Sequence, residues 1–474
     1  MILSFQKSTP LVAACFVLSA CAVKPVTSPA FEGAPARFKE TVSATPASTG
    51  AVAVPDAWWT LFKDPVLDDL ERRVAIGNES LKASLAQMAN VRATLDASYS
   101  ARLPTLSAEL AASRTGNPSS SAATAQNPSN NVALTATAGW ELDIWGKLSK
   151  AAQEAQSNLQ ASQSDLAAVK LSVQSTLAQT YFSMRTAEAQ KVLLEQTVVA
   201  YQKSLELTQA RLQSGVASLS DELQARTQLN TAKVQLADTT AQRAQYEHAI
   251  AVLTGVPPAT LSIESTALLP ESLDAPPLLP STLLQRRPDI AAARQRVEAA
   301  YSQIGVTDAA MFPTVGLSAN VGYSQNSLAN LLSAPNLLWT LGASLTQSIL
   351  DGGVKTLASA QARAAAELAT SNYRQLVLTS LQEVEDNLVL SAQLKNEVTW
   401  QQLALQAAQR NLEITQEQYR SGTVSYLNVV TAQTTALSAQ SNLLTVRNRQ
   451  LAALNILLKN IAGRWDQASV ETTK

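Results

Sequence analysis

Two stretches of the chain, Lys147 to Ser214 and Val354 to Ser421, each run 68 residues without a Gly or Pro, and each closes on a Ser-Gly pair. At about 1.5 Å of rise per residue, a helix of that length is a rod on the order of 100 Å, several times the width of an ordinary domain. A compact enzyme has no place for such elements. The stretches are copies: a shift of 207 positions lays Gly215 on Gly422, Ser218 on Ser425, Ala225 on Ala432 and Thr227 on Thr434. Leu177, Met184, Val198, Leu205 and Leu212 stand on a heptad spacing, and the same shift gives Val384, Ser391, Leu405, Leu412 and Tyr419. A second stripe, Leu159, Leu166, Val173, Leu194 and Tyr201, joins the first to form a seam. Ala, Gln, Ser and Thr fill the flanks, which suits a helix in a wall better than one in a solid core.

The duplication extends upstream. Leu81 to Pro104 and Ile290 to Pro313 are each 24 residues, helical in composition, and end in Leu103-Pro104 and Phe312-Pro313. The period then changes to two. Leu106, Ala108, Leu110 and Ala112 alternate with small or polar residues, as do Val132, Leu134, Ala136, Ala138, Trp140 and Leu142. Val315, Leu317, Ala319, Val321 and Tyr323, then Leu337, Trp339, Leu341, Ala343 and Leu345, are the counterparts. Period two over roughly 9 to 11 residues is the signature of a transmembrane β-strand. Each copy thus supplies a hairpin, with polar loops around Gly116 to Asn131 and Ser324 to Pro335, and reads helix, strand, strand, long helix, tight turn, helix.

The expected segments are a signal peptide (1–20), an N-terminal segment (21–65), a first repeat (66–255), a Pro-rich linker (256–287), a second repeat (288–463) and a tail (464–474). Strands are expected at about 104–113, 132–142, 314–323 and 337–347, long helices at 147–214 and 354–421, and tip turns at 214–218 and 421–425. The last helices cover Ser218 to Thr254 and Ser425 to Ile461. The upstream and downstream helices of each copy, stacked end to end, nearly equal one long rod.

Only 15% of the chain is charged, and Lys+Arg 36 against Asp+Glu 37 leaves no basic field for nucleic acid. No apolar run approaches the roughly 18 residues of a membrane-spanning helix, so membrane contact falls to strands or a lipid. The N-terminus offers the lipid. Lys7 precedes an apolar stretch from Leu11 to Leu18, then Leu18-Ser19-Ala20-Cys21, which resembles a bacterial lipobox. That resemblance implies cleavage before Cys21 and covalent acylation of its thiol and amino group, with Ala22 favouring outer-membrane sorting. Cys15 leaves with the signal, and one cysteine makes no disulfide.

Four strands cannot close a barrel, since eight is the lower end of what closes, and an open sheet edge in lipid leaves backbone groups unpaired at several kcal/mol each. The chain must oligomerise. A dimer gives eight strands and a trimer twelve; the need for a wide helical ring favours the larger number.

In these features the chain resembles the TolC-like outer membrane factor family, in its NodT-like lipoprotein branch. The matching pieces are the lipobox at Cys21, Trp58-Trp59 with Phe62, Asp64-Pro65 and Leu67, Arg287-Pro288-Asp289-Ile290, Phe312-Pro313, Trp145-Gly146, Asp351-Gly352-Gly353 and the two Ser-Gly turns. The resemblance spans essentially the whole chain. It implies a mainly α fold with a transmembrane β-barrel: a homotrimer whose twelve-stranded barrel continues into a twelve-helix periplasmic α-barrel. It further implies an exit duct for drug-like small molecules in a tripartite efflux system, served by a periplasmic membrane-fusion adaptor and an inner-membrane pump of the RND type. The alternatives are an exit duct for type I protein secretion and a non-conducting coiled-coil surface protein. No covalent step and no cofactor beyond the lipid are required.

The resemblance also places the adaptor contact at the tip turns, Ser214, Gly215 and Val216 with Ser421, Gly422 and Thr423. Glycine there is first of all a helix C-cap. Relatives carry acidic rings just past both turns. Here Asp221 keeps an acid six residues after Gly215, whereas Asn428 and Thr431 follow Gly422, a departure from the pattern. Three Asp221 carboxylates around an axis would repel one another and attract cations; equally, Asp221 is a helix-start carboxylate favoured by the dipole. Tyr419 is a gate candidate by its hydroxyl and a core residue by its heptad position. His248, the only histidine, has no Cys partner and excludes a convincing catalytic triad. Arg286 and Arg287 before Pro288 mark a helix start. Trp58 and Trp59 are expected to pack the N-terminal segment against the tunnel, and Trp140 and Trp339 to form a membrane-interface belt.

Overall fold

The structure, a computed structural model, describes residues 38–39, 57–116, 128–270 and 287–461. Its elements are α1 (Pro65–Gly77), α2 (Glu79–Ser100), β1 (Thr105–Thr115), β2 (Ser129–Leu142), α3 (Lys147–Gln213), α4 (Leu219–Leu253), α5 (Pro288–Ala309), β3 (Thr314–Gln325), β4 (Leu337–Thr346), α6 (Val354–Arg420) and α7 (Tyr426–Ile461). A 3-10 turn at Trp58–Phe62 precedes α1. Among the described residues no helix is long and apolar enough to cross a membrane. The duplicated halves are not the compact units. One unit is built around Gln87–Gln163 and Ala292–Arg374, the other around Phe31–Ala86, Ser164–Ala291 and Gln375–Lys474, so each repeat contributes to both.

The first unit carries an antiparallel sheet in the order β1-β2-β3-β4. Its register aligns the apolar alternation of all four strands into rows: Leu110, Leu134, Tyr323 and Leu337; Ala108, Ala136, Val321 and Trp339; Leu106, Ala138, Ala319 and Leu341. The opposite face reads Ser107, Thr137, Asn320 and Thr340, then Glu109, Thr135, Gly322 and Leu338. β1, β2 and β3 run further than expected, while β4 keeps close to its expected span. Arg114 and Thr115 pair with Asn130 and Ser129, and β3 continues to Gln325, because ladder hydrogen bonds need no apolar side chain once alternation has set the register. Where strand passes to helix, Trp145 stacks on Phe312 at 4.9 Å and donates its indole N–H to the Pro313 carbonyl at 2.6 Å. Asp143 accepts from the Leu148 and Ser149 amides, and Asp351 from those of Gly353 and Lys355, starting both long helices.

The second unit holds the main core. Trp58, Leu67, Val74, Leu177, Tyr181, Phe182, Met184, Val384 and Leu457 are fully enclosed, and the heptad positions Leu177 and Met184 lie at its centre. α1 was not expected from the sequence, which placed Asp64-Pro65 ahead of a first helix at Leu81. Asp64 caps it, accepting from the Val66 and Leu67 amides at 2.9 and 3.2 Å, with Pro65 in the first turn. At its end Gly77 meets Gly255 so closely that a Cβ on Gly77 would lie 2.2 Å from the Thr254 carbonyl oxygen. Beside that crossing, Asn78 donates to the Leu253 carbonyl at 2.7 Å and accepts from Leu81. The C-terminus of α4 therefore meets the N-terminus of α2, as the end-to-end arrangement requires. At the corresponding place in the second repeat Arg287 pairs with Asp289, with Glu383 at 2.7 Å and with Asn460 at 2.7 Å, doing more than opening a helix.

A buried charge network fastens the linker. Arg185 donates to Glu188 at 2.7 Å and to the Glu264 carbonyl at 2.8 Å; Arg243 donates to Glu188 and Glu247; Glu247 and Glu188 accept from the Ile263 and Thr266 amides. Tyr181 donates to Asp64 at 2.6 Å and accepts from Arg185. Nothing in the periodicity announced it.

Candidate functional site: an amphipathic sheet and paired tip turns

Two features can carry function. The first is the sheet. One face is a field of Leu, Val, Ala, Trp and Tyr, the other is mostly small or polar with Leu338 among it, and among the described residues β1 and β4 each present an unpaired edge. Leu106, Leu110, Leu341 and Leu345 are more than three-fifths exposed. In water such a face drives association, whereas in hydrocarbon it is at home. Trp140 stands one row from the helical end of the field, its indole N–H held by the Arg102 carbonyl at 2.9 Å. Trp339 stands two rows further, inside the field instead of at a rim.

The second is the pair of turns that end α3 and α6. Gly215 and Gly422 take φ of 74° and 81°, left-handed values that a side chain resists. In the first turn the Gly215 amide donates to the Leu212 carbonyl and the Val216 amide to that of Arg211. In the second, Gly422 donates to Tyr419 and Thr423 to Gln418. Both are Schellman closures, so the repeat is faithful to the hydrogen bond. The Ser214 and Ser421 hydroxyls bond back to their own helices, as does that of Thr423. All six turn residues named from the sequence are exposed, and Val216 shows 65% of its surface.

Just beyond, the two hairpins differ. Asp221 forms a capping box with Ser218: its amide donates to the Ser218 hydroxyl at 3.1 Å and its carboxylate accepts from the Ser218 amide at 3.2 Å. Asn428 and Thr431 are exposed, with the Thr431 hydroxyl donating to the Leu427 carbonyl. Tyr419 is buried, its ring 5.3 Å from that of Tyr426, and among the described residues its hydroxyl has no hydrogen-bond partner. Tyr201 lies in the same cluster, its pKa pushed up to about 12 by burial and then by Tyr426. Glu222 is held below the usual carboxylate range by the hydrogen bond from Gln209 and by Arg226.

Arg211 is the tip residue to which sequence reasoning gave no role. A cation in a helix's last turn normally serves that helix, but this one reaches the end of α6, bonding the Tyr419 carbonyl at 2.9 Å. Nothing in the sequence points across 208 positions to that acceptor. Cys21 and Arg286 lie outside the described residues.

A sheet with one lipid-compatible face, joined to helices of 67 residues that end in paired turns, defines the class of outer-membrane export channels with helical extensions. The family described as outer membrane efflux protein matches residues 72–256 and 279–463, the two repeats, and the chain belongs to it. It is an outer-membrane efflux channel. The pyoverdine export outer membrane protein OpmQ of Pseudomonas aeruginosa is 28% identical over 469 residues, 97% of either chain. The probable outer membrane lipoprotein SilC of Salmonella typhimurium is 26% identical over 412 residues, 86% of this chain and 88% of its own. The crystal structure of the Campylobacter jejuni CmeC outer membrane channel shares the fold at a TM-score of 0.87 and 20% identity, covering 95% of this chain and 97% of that one.

Proposed function

We propose that three copies of this chain close a twelve-stranded barrel in the outer membrane and work as the exit duct of a tripartite efflux system, passing small molecules received from a periplasmic adaptor and an RND-type pump. The observation that carries this reading is the four-stranded sheet with an apolar face and two open edges. The edge strands β1 and β4 run antiparallel, so β4 of one copy can pair with β1 of the next in the sense used throughout the sheet, and three copies leave no edge. A second support is the exposed apolar line on α6, where Leu378, Val389 and Trp400 follow one another every eleven residues. Eleven residues make three turns of a nearly straight helix, so the line stays on one side and offers a long seam to a neighbour.

In this reading Cys21 carries the diacylglycerol and acyl chains that hold the protein to the outer membrane, as the lipoprotein name of one relative supports. The turns at Ser214 to Val216 and Ser421 to Thr423 receive the adaptor. Asp221, Asn428 and Thr431 set the resting aperture, while Tyr419, a gate candidate by its hydroxyl, is buried in the hairpin core and packs behind them; the capping box at Ser218 fixes where each Asp221 carboxylate stands. The duct does no chemistry, and the pump supplies the energy.

The test is twofold. Detergent-purified protein is sized by mass photometry and inserted in planar bilayers. Trimers with discrete conductance steps are expected. A monomer, or a trimer that never conducts, refutes the proposal.

A further inference from the structure

The apolar face of the sheet is not smooth. Among the larger side chains of Trp140, Leu317 and Leu341 lies a groove of about 470 Å³ that also takes in Ala138, Ala319 and Ala343, with Pro104 on its β1 side. The register explains the dent. Ala138 and Ala319 stand side by side on β2 and β3, whereas the rows beyond carry Val321 with Trp339 and Leu134 with Tyr323. Its walls stay open to the surroundings, Leu341 being 73% and Trp140 41% exposed. Gly139, Ser318 and Gly342 complete the lining from the opposite pleat, so every side chain on the groove's own face is apolar.

Charge stands at one end of this groove. Arg102 lies just outside the sheet at its helical end, two residues before Pro104, and its carbonyl accepts the Trp140 indole N–H at 2.9 Å. Its side chain is exposed and makes no hydrogen bond or salt bridge among the described residues. Its charge reaches Asp143, but that carboxylate already accepts from the Leu148 and Ser149 amides. Glu141, in the opposite pleat, is taken up by Lys147 at 2.6 Å. An apolar slot thus leads past a tryptophan to an uncommitted cation. A glycerophospholipid presents the complementary order of groups: an alkyl chain, an ester at the interface, and a phosphate that a guanidinium binds well.

We propose that the groove is a lipid site of the periplasmic leaflet, taking one acyl chain of a phosphatidylglycerol-type lipid whose phosphate rests on Arg102. This rests on the function proposed above, in which the apolar face looks into hydrocarbon and the helices leave on the periplasmic side. The leaflet follows from position, because the groove occupies the part of the sheet nearest the helices. A net negative headgroup is preferred to a zwitterionic one because Arg102 attracts the phosphate while the carboxylates beside it, Asp143 and Glu141, are engaged and offer an ammonium little. A chain seated there also restores the dispersion contacts that a dent in a lipid-facing wall forfeits.

Native mass spectrometry of the full chain purified from membranes in detergent, titrated with phosphatidylglycerol or with phosphatidylethanolamine of the same acyl composition, tests the site. The parent is expected to retain one phosphatidylglycerol per subunit, about fivefold more tightly than phosphatidylethanolamine, the preference that one cation at a membrane surface supplies. Arg102→Gln should erase that preference. Arg114→Gln removes a cation from the same face at the far end of β1 and should leave it unchanged. Ala319→Leu, which fills the groove with another apolar side chain, should weaken both lipids alike. Equal retention of the two lipids by the parent, an unchanged preference in Arg102→Gln, or the same loss in Arg114→Gln overturns the proposal, as does undiminished binding in Ala319→Leu. So does phosphatidylglycerol held by Cys21→Ala and not by the parent, which would make the protein's own acyl chains the occupant. Should Ala319→Leu not assemble, the two arginine variants decide alone. Failure of lipid selection in a protein that still forms conducting trimers removes this site only, whereas a parent without trimers or conductance removes the channel reading beneath it.

Discussion

Replacing Glu71 with glutamine should stabilise the protein, and should do so more strongly as pH rises. Glu71 lies on α1 with no exposed surface, inside the unit whose core includes Leu67, Leu70 and Val74. Neither of its carboxylate oxygens has a hydrogen-bond partner among the described residues. Burial, and secondarily the charge of Asp68 one turn away, lift its pKa from 4.5 to about 9. An acid whose folded pKa lies above its unfolded value holds its proton more tightly when folded. Below about pH 4.5 both states are protonated and the group is silent. Between about pH 4.5 and 9 unfolding releases a proton, so stability falls as pH rises, and above about pH 9 the loss is complete. At about 1.36 kcal/mol per unit, the native state gives up on the order of 3 kcal/mol by pH 7 and twice that under alkaline conditions, before water penetration trims the figure. Glutamine keeps the shape, never ionises, and leaves buried about the same unmet hydrogen-bonding capacity as the protonated acid. Thermal unfolding of parent and Glu71→Gln in detergent, followed by circular dichroism at about pH 5, 7 and 9, should show near coincidence at the lowest pH and a widening gap above it. Infrared spectra at neutral pH should show a protonated-carboxyl band that the variant lacks. A gap independent of pH, a variant less stable throughout, or no such band would refute the reasoning, since each requires an ionised and paired Glu71.

Other consequences are as direct. Gly77→Ala puts a Cβ 2.2 Å from the Thr254 carbonyl oxygen, and relief by backbone shift should cost about 1–3 kcal/mol or more, read as a lower melting temperature. Glu188→Gln takes from Arg185, whose side chain is 3% exposed, and from Arg243 the carboxylate they share, with an expected loss of about 3–5 kcal/mol read by thermal unfolding; Arg185→Met/Glu188→Leu should recover only part of it, because Arg243 and the Thr266 amide lose the same acceptor. Cys21→Ala should abolish incorporation of radiolabelled palmitate without changing the oligomeric state of the purified protein; retained label would place the lipid elsewhere.

The long helices were legible to within a residue because nothing interrupts their 68-residue runs, and the helical start and glycine stop both lie on the chain itself. The sheet was legible because alternation declares its faces, so Leu110 and Leu134 had to share one. The strand ends were not, since Ser129 to Asn131 pair through backbone atoms that carry no side-chain signal. α1 escaped notice because its apolar turns are broken by a buried Glu71, which reads as a surface residue. At the tip, the turns and the Ser218-to-Asp221 cap could be read locally. Arg211 could not, because its acceptors are main-chain carbonyls of another hairpin, and a carbonyl looks the same in every residue.

The contact between β2 and β3 joins the two repeats within one chain. In the trimer proposed above the ring would hold six such repeats, and three of its six junctions would be made within a chain, as β2 and β3 make theirs. Those three form without an encounter between molecules, so only the other three would depend on how much protein reaches the membrane. The two halves are not interchangeable at the tip either, where Asp221 of one hairpin stands opposite Asn428 in the repeat register of the other.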